Sequence, residues 1–344
     1  MIPIPLITEH AVVTPEHTTS YLASGPPDGP LLVLVHGWPA LARTWKHQLA
    51  CFAALGFRVV APDMRGYGNS TVHRAPGSYA QEHLVGDMLT LLDHLGRDNA
   101  VWIGHDWGSP TVWNLASQHP ERSIAVASLC VPYATLERGL DAMLPLVDRE
   151  TYPAATYPAA QFDYQAYYEH HADAVTAMFD TSPANSVKVL FRRGDPAASG
   201  TVAPTATITR DGGWFGGTCR VPEVPLDTAV LDEADLAALA ASLSRNGFAG
   251  PTSYYLNHAA NAAYAARATN DGRLDLPVLF LGATYDYVAE TVNSRLAQPM
   301  RQYCRDLTEH TIKAGHWVAL ERPTEVNAAL ARWLATSVPA HWPG

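Results

Sequence analysis

Five short apolar runs, separated by stretches with helical spacing, limit what this chain can fold into: Leu31–Val35 (LLVLV), Phe57–Pro62 (FRVVAP), Ala100–Gly104 (AVWIG), Ser123–Leu129 (SIAVASL) and Pro277–Ala283 (PVLFLGA). A strand with one wet face alternates apolar and polar residues, whereas a strand that is apolar throughout must be covered on both faces. Between the runs, Leu84, Val85, Met88, Leu91, Leu92 and Leu95 recur at helical spacing, and Gly96 follows as a stop. Pro323–Leu334 reads as another helix, with its proline early, where the missing N–H is not needed. Strands alternating with helices predict an α/β fold with a mostly parallel, doubly wound sheet.

The alternation breaks between Tyr133 and Asn270. Within that stretch Tyr164–Phe179 and Asp232–Gly247 read as helices; Asp232 and Asp235 favour the N-terminal dipole of the second, and Gly247 ends it. The tandem pentapeptide TYPAATYPAA (Thr151–Ala160) reads as a loop, because prolines five residues apart obstruct a helix. The adjacent His170 and His171 fall on different helix faces and are expected to meet solvent. The expected layout is a core built from residues 1–133 and 271–344, carrying an inserted helical cap at 134–270.

Composition narrows the function. A net charge of −10, with no lysine- or arginine-rich run, argues against nucleic acid and anionic membranes as partners. Cys51, Cys130, Cys219 and Cys304 are scattered and form no CxxC pair, so neither a zinc site nor a disulfide framework is suggested. The N-terminus lacks a basic region followed by an apolar core, and no apolar run approaches the ~20 residues that span a bilayer. A cytoplasmic protein is expected. The histidines show no H-E-x-x-H spacing, so no metal or other cofactor is expected.

The third apolar run leads into His105-Asp106-Trp107-Gly108, which places Gly-x-Asp-x-Gly between a strand and a helix. That context is the nucleophile elbow, a turn so tight that flanking glycines avoid clashes and the central side chain stands near a helix N-terminus. A serine there needs a base to remove its proton. An aspartate, with an ordinary pKa of about 3.9, is already an anion at neutral pH and can attack an electrophilic carbon to give an alkyl ester. A helix cap is the plainer role for an aspartate so placed.

The chain resembles the α/β hydrolases, and specifically their epoxide hydrolases. The resemblance rests on VLVHGWP (Val33–Pro39), APDMRGYGNS (Ala61–Ser70), IGHDWGS (Ile103–Ser109), FDYQAYY (Phe162–Tyr168), GPTSYYLN (Gly250–Asn257), YDYV (Tyr285–Val288) and GHWVALERPTEVN (Gly315–Asn327), in the family's order. It implies Asp106 as nucleophile and His316 as the base that activates water against the ester. It implies Asp286 as the acid orienting His316, with Glu290 and Glu309 as alternatives. The backbone N–H groups of Trp38 and Trp107 become the oxyanion hole, and Trp38–Pro39 is expected to be cis. His36 and His105 are expected to be structural.

The family's epoxide hydrolases project two cap tyrosines over the nucleophile. Their phenols stay protonated at neutral pH and donate to the opening oxygen. Tyr164 and Tyr255 match those positions, with Tyr254, Tyr167 and Tyr168 as alternatives. The implied activity opens a small-molecule epoxide with water to a vicinal diol. The alternative is a haloalkane dehalogenase sharing Asp106, Trp107 and His316. Many of those carry asparagine where this chain has Trp38, and some place the acid after Leu129, where the sequence is CVPY. Halide would need indole N–H donors, and Trp214 is the cap's only tryptophan. A non-catalytic ligand-binding receptor on the same fold is a third reading.

Overall fold

The apolar runs form the middle of one eight-stranded sheet of order β1-β2-β4-β3-β5-β6-β7-β8. The computed structural model describes residues 6–344; the first five residues, on which the expectation of no leader partly rests, lie outside the described residues. The strands are β1 (Thr8–Val13), β2 (Thr18–Ser24), β3 (Leu31–Val35), β4 (Arg58–Pro62), β5 (Ala100–His105), β6 (Ser123–Leu129), β7 (Leu274–Ala283) and β8 (Cys304–Ile312). β1 and β2 pair antiparallel, as do β2 and β4, and every later pairing is parallel. In β3 and β5 every residue is buried, as strands covered on both faces require.

The edges of the sheet differ from the sequence reading. β1 carries no continuous apolar run because it is an antiparallel edge strand with most of its residues exposed, and β2 interrupts its own with the buried Thr19, Ser20 and Ser24. β8 begins at Cys304, whereas only Glu309–Ala314 looks strand-like in the sequence; apart from Cys304, the half-buried Leu307 and Ile312, its residues are exposed and polar. An edge strand has one neighbour and less cover, so the apolar signal fades there.

Numbering the helices of eight residues or more, α1 is Lys46–Ala54, α2 Gln81–His94, α3 Gly108–Gln118, α4 Asp163–Asp180, α5 Pro183–Leu190, α6 Glu233–Asn246, α7 His258–Ala265 and α8 Pro323–Ser337. α2 buries Leu84, Val85, Met88, Leu91 and Leu92 on one face, and Gly96 ends it at φ 66°. α4, α5, α6 and α7 all lie between β6 and β7. α4 is interrupted at His171 (φ −132°, ψ 23°), whose ring stacks on Tyr167; both His170 and His171 are exposed. Thr151–Ala160 forms turns rather than helix, and Arg149 holds it by donating to the carbonyls of Tyr152, Tyr157 and Pro158.

Asp232 and Asp235 form a capping box at the start of α6. Asp235 also accepts from Arg43 at 2.8 Å and from Lys46, so the helix cap doubles as a tie to the sheet side of the molecule. Among the described residues, no helix is long and apolar enough to cross a membrane.

Candidate active site

Every parallel strand of a doubly wound sheet ends on the same edge, and the loops leaving β3, β5, β7 and β8 meet there. Asp106 occupies the turn between β5 and α3 at φ 50°, a left-handed conformation that an L-residue holds only when its surroundings enforce it. Two glycines allow the turn. A Cβ on Gly104 would stand 2.7 Å from the Gly108 carbonyl oxygen, and one on Gly108 would run into the Val35 and His36 backbones. Ser109 N–H donates to the Asp106 carbonyl at 2.9 Å and starts α3 directly behind the carboxylate.

The loop after β3 comes to meet this carboxylate. Trp38 N–H donates to Asp106 Oδ1 at 2.5 Å, and the Trp38–Pro39 bond is cis. His36 serves the same loop, accepting from Met64 N–H at Nε2 (3.0 Å) while its Nδ1 lies 2.9 Å from the Gly37 carbonyl. A carbonyl only accepts, so Nδ1 carries the proton and the ring is neutral. Burial holds His36 down to about 4, in keeping with that form.

His316, on the loop after β8, stands between two carboxylates. Its Nε2 is 3.3 Å from Asp106 Oδ2, and its Nδ1 is 2.8 Å from Asp286 Oδ2. Asp286 has no exposed side-chain surface; its other oxygen accepts from Val288 N–H at 2.9 Å and Ala289 N–H at 3.1 Å. Burial works against its charge, but His316 and these donors outweigh it and hold the carboxyl below its ordinary value. Burial likewise opposes the His316 imidazolium, and the charge of Asp286, then the bond to Asp106, overcome it and raise His316 well above 6.5. The alternatives to Asp286 are engaged elsewhere: Glu290 caps its own loop through the N–H groups of Asn293 and Ser294, and Glu309 is exposed and paired with Arg301.

The His316 carbonyl is held as well as its ring. His105 Nε2 lies 2.7 Å from it and the Cys130 thiol 3.3 Å. Burial keeps His105 down to about 4 and pushes the Cys130 thiol up to about 12. Among the described residues, His105, Cys130 and His316 are the one group close enough to share a cation. Their chemistry does not fit one: the thiol keeps its proton, and His105 Nε2 faces a carbonyl that can only accept.

Above the carboxylate lies a cavity of about 1020 Å³, lined by Asp106, His316, Trp38, Tyr164, Tyr255 and Trp214 among others. Tyr164 and Tyr255 pack edge to face with ring centroids 5.5 Å apart. Tyr255 also stands edge-on to Trp107 at 5.1 Å and to Trp38 at 5.7 Å. Gln165 Nε2 donates to the Tyr164 phenol oxygen at 3.0 Å, leaving the phenol proton available. Burial, reinforced by the Asp106 charge and at Tyr255 also by Tyr164, raises both phenols above their ordinary value, so both are neutral donors.

The alternative tyrosines are placed differently. The Tyr254 hydroxyl donates to the Arg65 carbonyl at 3.0 Å, and the Tyr167 hydroxyl lies 3.4 Å from the Gly212 carbonyl. The Tyr168 hydroxyl is buried without a partner behind Tyr164 and Tyr255. Gln165 is a site residue that the sequence reading passed over, although it adjoins Tyr164 in FDYQ. Arg192, Arg193 and Asp227 at the cavity's edge carried no sequence signal, since nothing in their spacing ties them to Asp106.

Residues 30–323 match the family model of the α/β hydrolase fold. The chain belongs to the α/β hydrolase fold family. Within that family it groups with the epoxide hydrolases. Epoxide hydrolase A of Mycobacterium tuberculosis is 32% identical over 333 residues, covering 95% of this chain and 97% of that protein. Bifunctional epoxide hydrolase 2 of Sus scrofa is 33% identical over 309 residues, which is 90% of this chain and 52% of that protein. This chain therefore spans about half the length of the first curated relatives it matches. The crystal structure of Epoxide Hydrolase A from Mycobacterium thermoresistibile superposes with a TM-score of 0.77 at 31% identity, covering 96% of this chain and 99% of that one.

Proposed function

We propose that this protein opens epoxides to vicinal diols through an ester on Asp106. The observation that carries the reading is that a carboxylate 3.3 Å from a histidine shares one cavity with two neutral phenols. Asp106 attacks a ring carbon. The C–O bond breaks toward Tyr164 and Tyr255, whose O–H groups stabilise the departing oxygen and supply its proton. The phenolate left by ring opening recovers a proton from the His316 imidazolium, and the neutral imidazole then takes a proton from water at Nε2 as the water oxygen attacks the Asp106 carboxyl carbon. Asp286 holds the imidazole and balances the charge it gains. The N–H groups of Trp38 and Trp107 stabilise the oxyanion, and on its collapse the remaining hydroxyl proton passes to the departing alkoxide, which returns the carboxylate and releases the diol.

The two steps are electrically coupled. The hydrogen bond to Asp106 helps keep His316 protonated in the resting protein. Esterification weakens that acceptor, so the imidazole becomes easier to deprotonate when a base is needed. In this reading residues 134–270 act as the cap over a core of 1–133 and 271–344. The cavity is at the upper end of the ~300–1,000 Å³ usual for small-molecule sites, which favours a bulky epoxide. No cofactor takes part. Four unpaired thiols support a cytoplasmic location.

A panel of epoxides of graded size tests the proposal, with diol formation and halide release from haloalkanes measured in parallel. Diol from at least one bulky epoxide, with no halide released, is the expected outcome. Halide release without epoxide opening would transfer the site to dehalogenation. Ligand binding with neither reaction would make the protein a receptor.

A further inference from the structure

The insertion meets the loop bearing His316 at Leu190–Gly194. The Trp317 indole N–H donates to the Leu190 carbonyl at 2.8 Å, and the Trp317 and Phe191 rings stack with centroids 3.8 Å apart. Beside them a single carboxylate oxygen, Glu321 Oε2, accepts from Gly315 N–H at 2.8 Å and from Gly194 N–H at 3.0 Å. The two glycines are in contact. A Cβ on Gly194 would stand 2.7 Å from Gly315 Cα, and one on Gly315 2.6 Å from Gly194 Cα. Only two residues without side chains let the backbones come close enough to share that oxygen. Gly194, Gly315, His316 and Trp317 all line the cavity, and Gly315 directly precedes His316.

We propose that Glu321 is a positioning residue for His316, bridging Gly194 of the insertion to Gly315 so that seating the insertion and setting the imidazole happen together. Asp286 holds the ring, whereas Glu321 holds the backbone one residue before it. The inference rests on the reading of His316 as the base. Attack by Asp106 on the epoxide does not use that base, while hydrolysis of the ester does. Loss of the bridge therefore acts on the second step. Hydrogen bonds to an ionised acceptor are the stronger kind, and small displacements of a catalytic group are amplified in rate.

The test uses full-length Glu321→Ala and Glu321→Gln proteins, with styrene oxide as probe and intact mass read on quenched samples. In Glu321→Ala, ester decay should slow on the order of 10- to 100-fold while ester formation stays within about threefold. Glu321→Gln keeps an acceptor oxygen and should restore most of the decay rate. A merely structural role would depress both steps alike, and that result, or unchanged decay, overturns the proposal.

Amide hydrogen exchange over 190–196 and 313–317 needs no substrate. Both segments should exchange faster in Glu321→Ala than in the parent or the glutamine variant. Unchanged exchange sinks the bridge whatever the activity. Faster exchange in a protein that opens no epoxide leaves the bridge standing and sinks the assigned reaction instead. If the alanine variant does not fold, Glu321→Asp, one methylene shorter and unable to reach both glycines, takes its place in both measurements.

Discussion

The two walls of the cavity are built by different forces. On the sheet side, directed hydrogen bonds place each group: Trp38 N–H on Asp106, two backbone N–H groups on Asp286, Asp286 on His316, and two donors on the His316 carbonyl. On the insertion side, aromatic rings lean edge-on against one another: Tyr255 on Trp38, Trp107, Tyr164 and Tyr168. A hydrogen bond weakens steeply when bent, while aromatic pairs accept centroid separations from about 4.5 to 7 Å. The sheet wall is thus held rigidly around the proposed nucleophile and base, and the insertion wall is the more tolerant of the two. Changes in the first should stop chemistry; changes in the second should retune it.

The largest effect expected falls on the sheet wall. Asp106→Ala should lower epoxide opening by on the order of 10⁴-fold or more, as loss of a nucleophile does. His316→Gln should instead leave ester formation intact and trap the intermediate, visible as a mass gain equal to the epoxide. A protein in which Asp106→Ala keeps substantial activity would break the contrast at its root, and so would a His316→Gln protein that never gains mass.

Next come the phenols. Tyr164→Phe and Tyr255→Phe should each slow ester formation by about 10- to 100-fold, at or below the low end of general-acid effects, because one donor remains. The double variant should lose far more than either. If both single variants match the parent in burst kinetics across several epoxides, the insertion wall only shapes the cavity.

The smallest effect concerns pH. His36 and His105 on the sheet side and His258 at the start of α7 are each held down to about 4, burial being the leading cause. Unfolded histidines titrate near 6.5, so the unfolded chain takes protons that the folded one refuses. The stability these residues contribute is present above pH 6.5 and is lost as pH falls toward 4. His316 runs the other way: its raised value adds stability below 6.5 that is lost as pH rises through it. The thermal midpoint should therefore drop on acidification from pH 6.5 to 4. A flat profile there would mean that the three rings are not shut away from protons.

Much of the sheet wall was legible in the chain itself. A strand covered on both faces must be apolar throughout, so β3, β5 and β6 declared themselves, and a sharp turn after β5 required Gly104 and Gly108 around Asp106. The edge strand β1 did not, since exposure dilutes its apolar pattern, and neither did β2, which buries the polar Thr19, Ser20 and Ser24. Sequence offered Glu290 and Glu309 beside Asp286 as partners of His316. Only folding decided among them, by turning one carboxylate onto Nδ1 and the others onto a loop and an arginine.

Sequence by itself determined the strand–helix alternation, the elbow and its aspartate, because each depends on neighbours a few residues away. Tertiary structure alone decided which tyrosines face the carboxylate, which acid holds the histidine, and that Glu321 joins Gly194 to Gly315 across 121 positions of chain. Local rules of turn and periodicity act between adjacent residues. The direction in which a side chain points into a shared cavity depends on how distant segments pack, and no spacing in the chain encodes it.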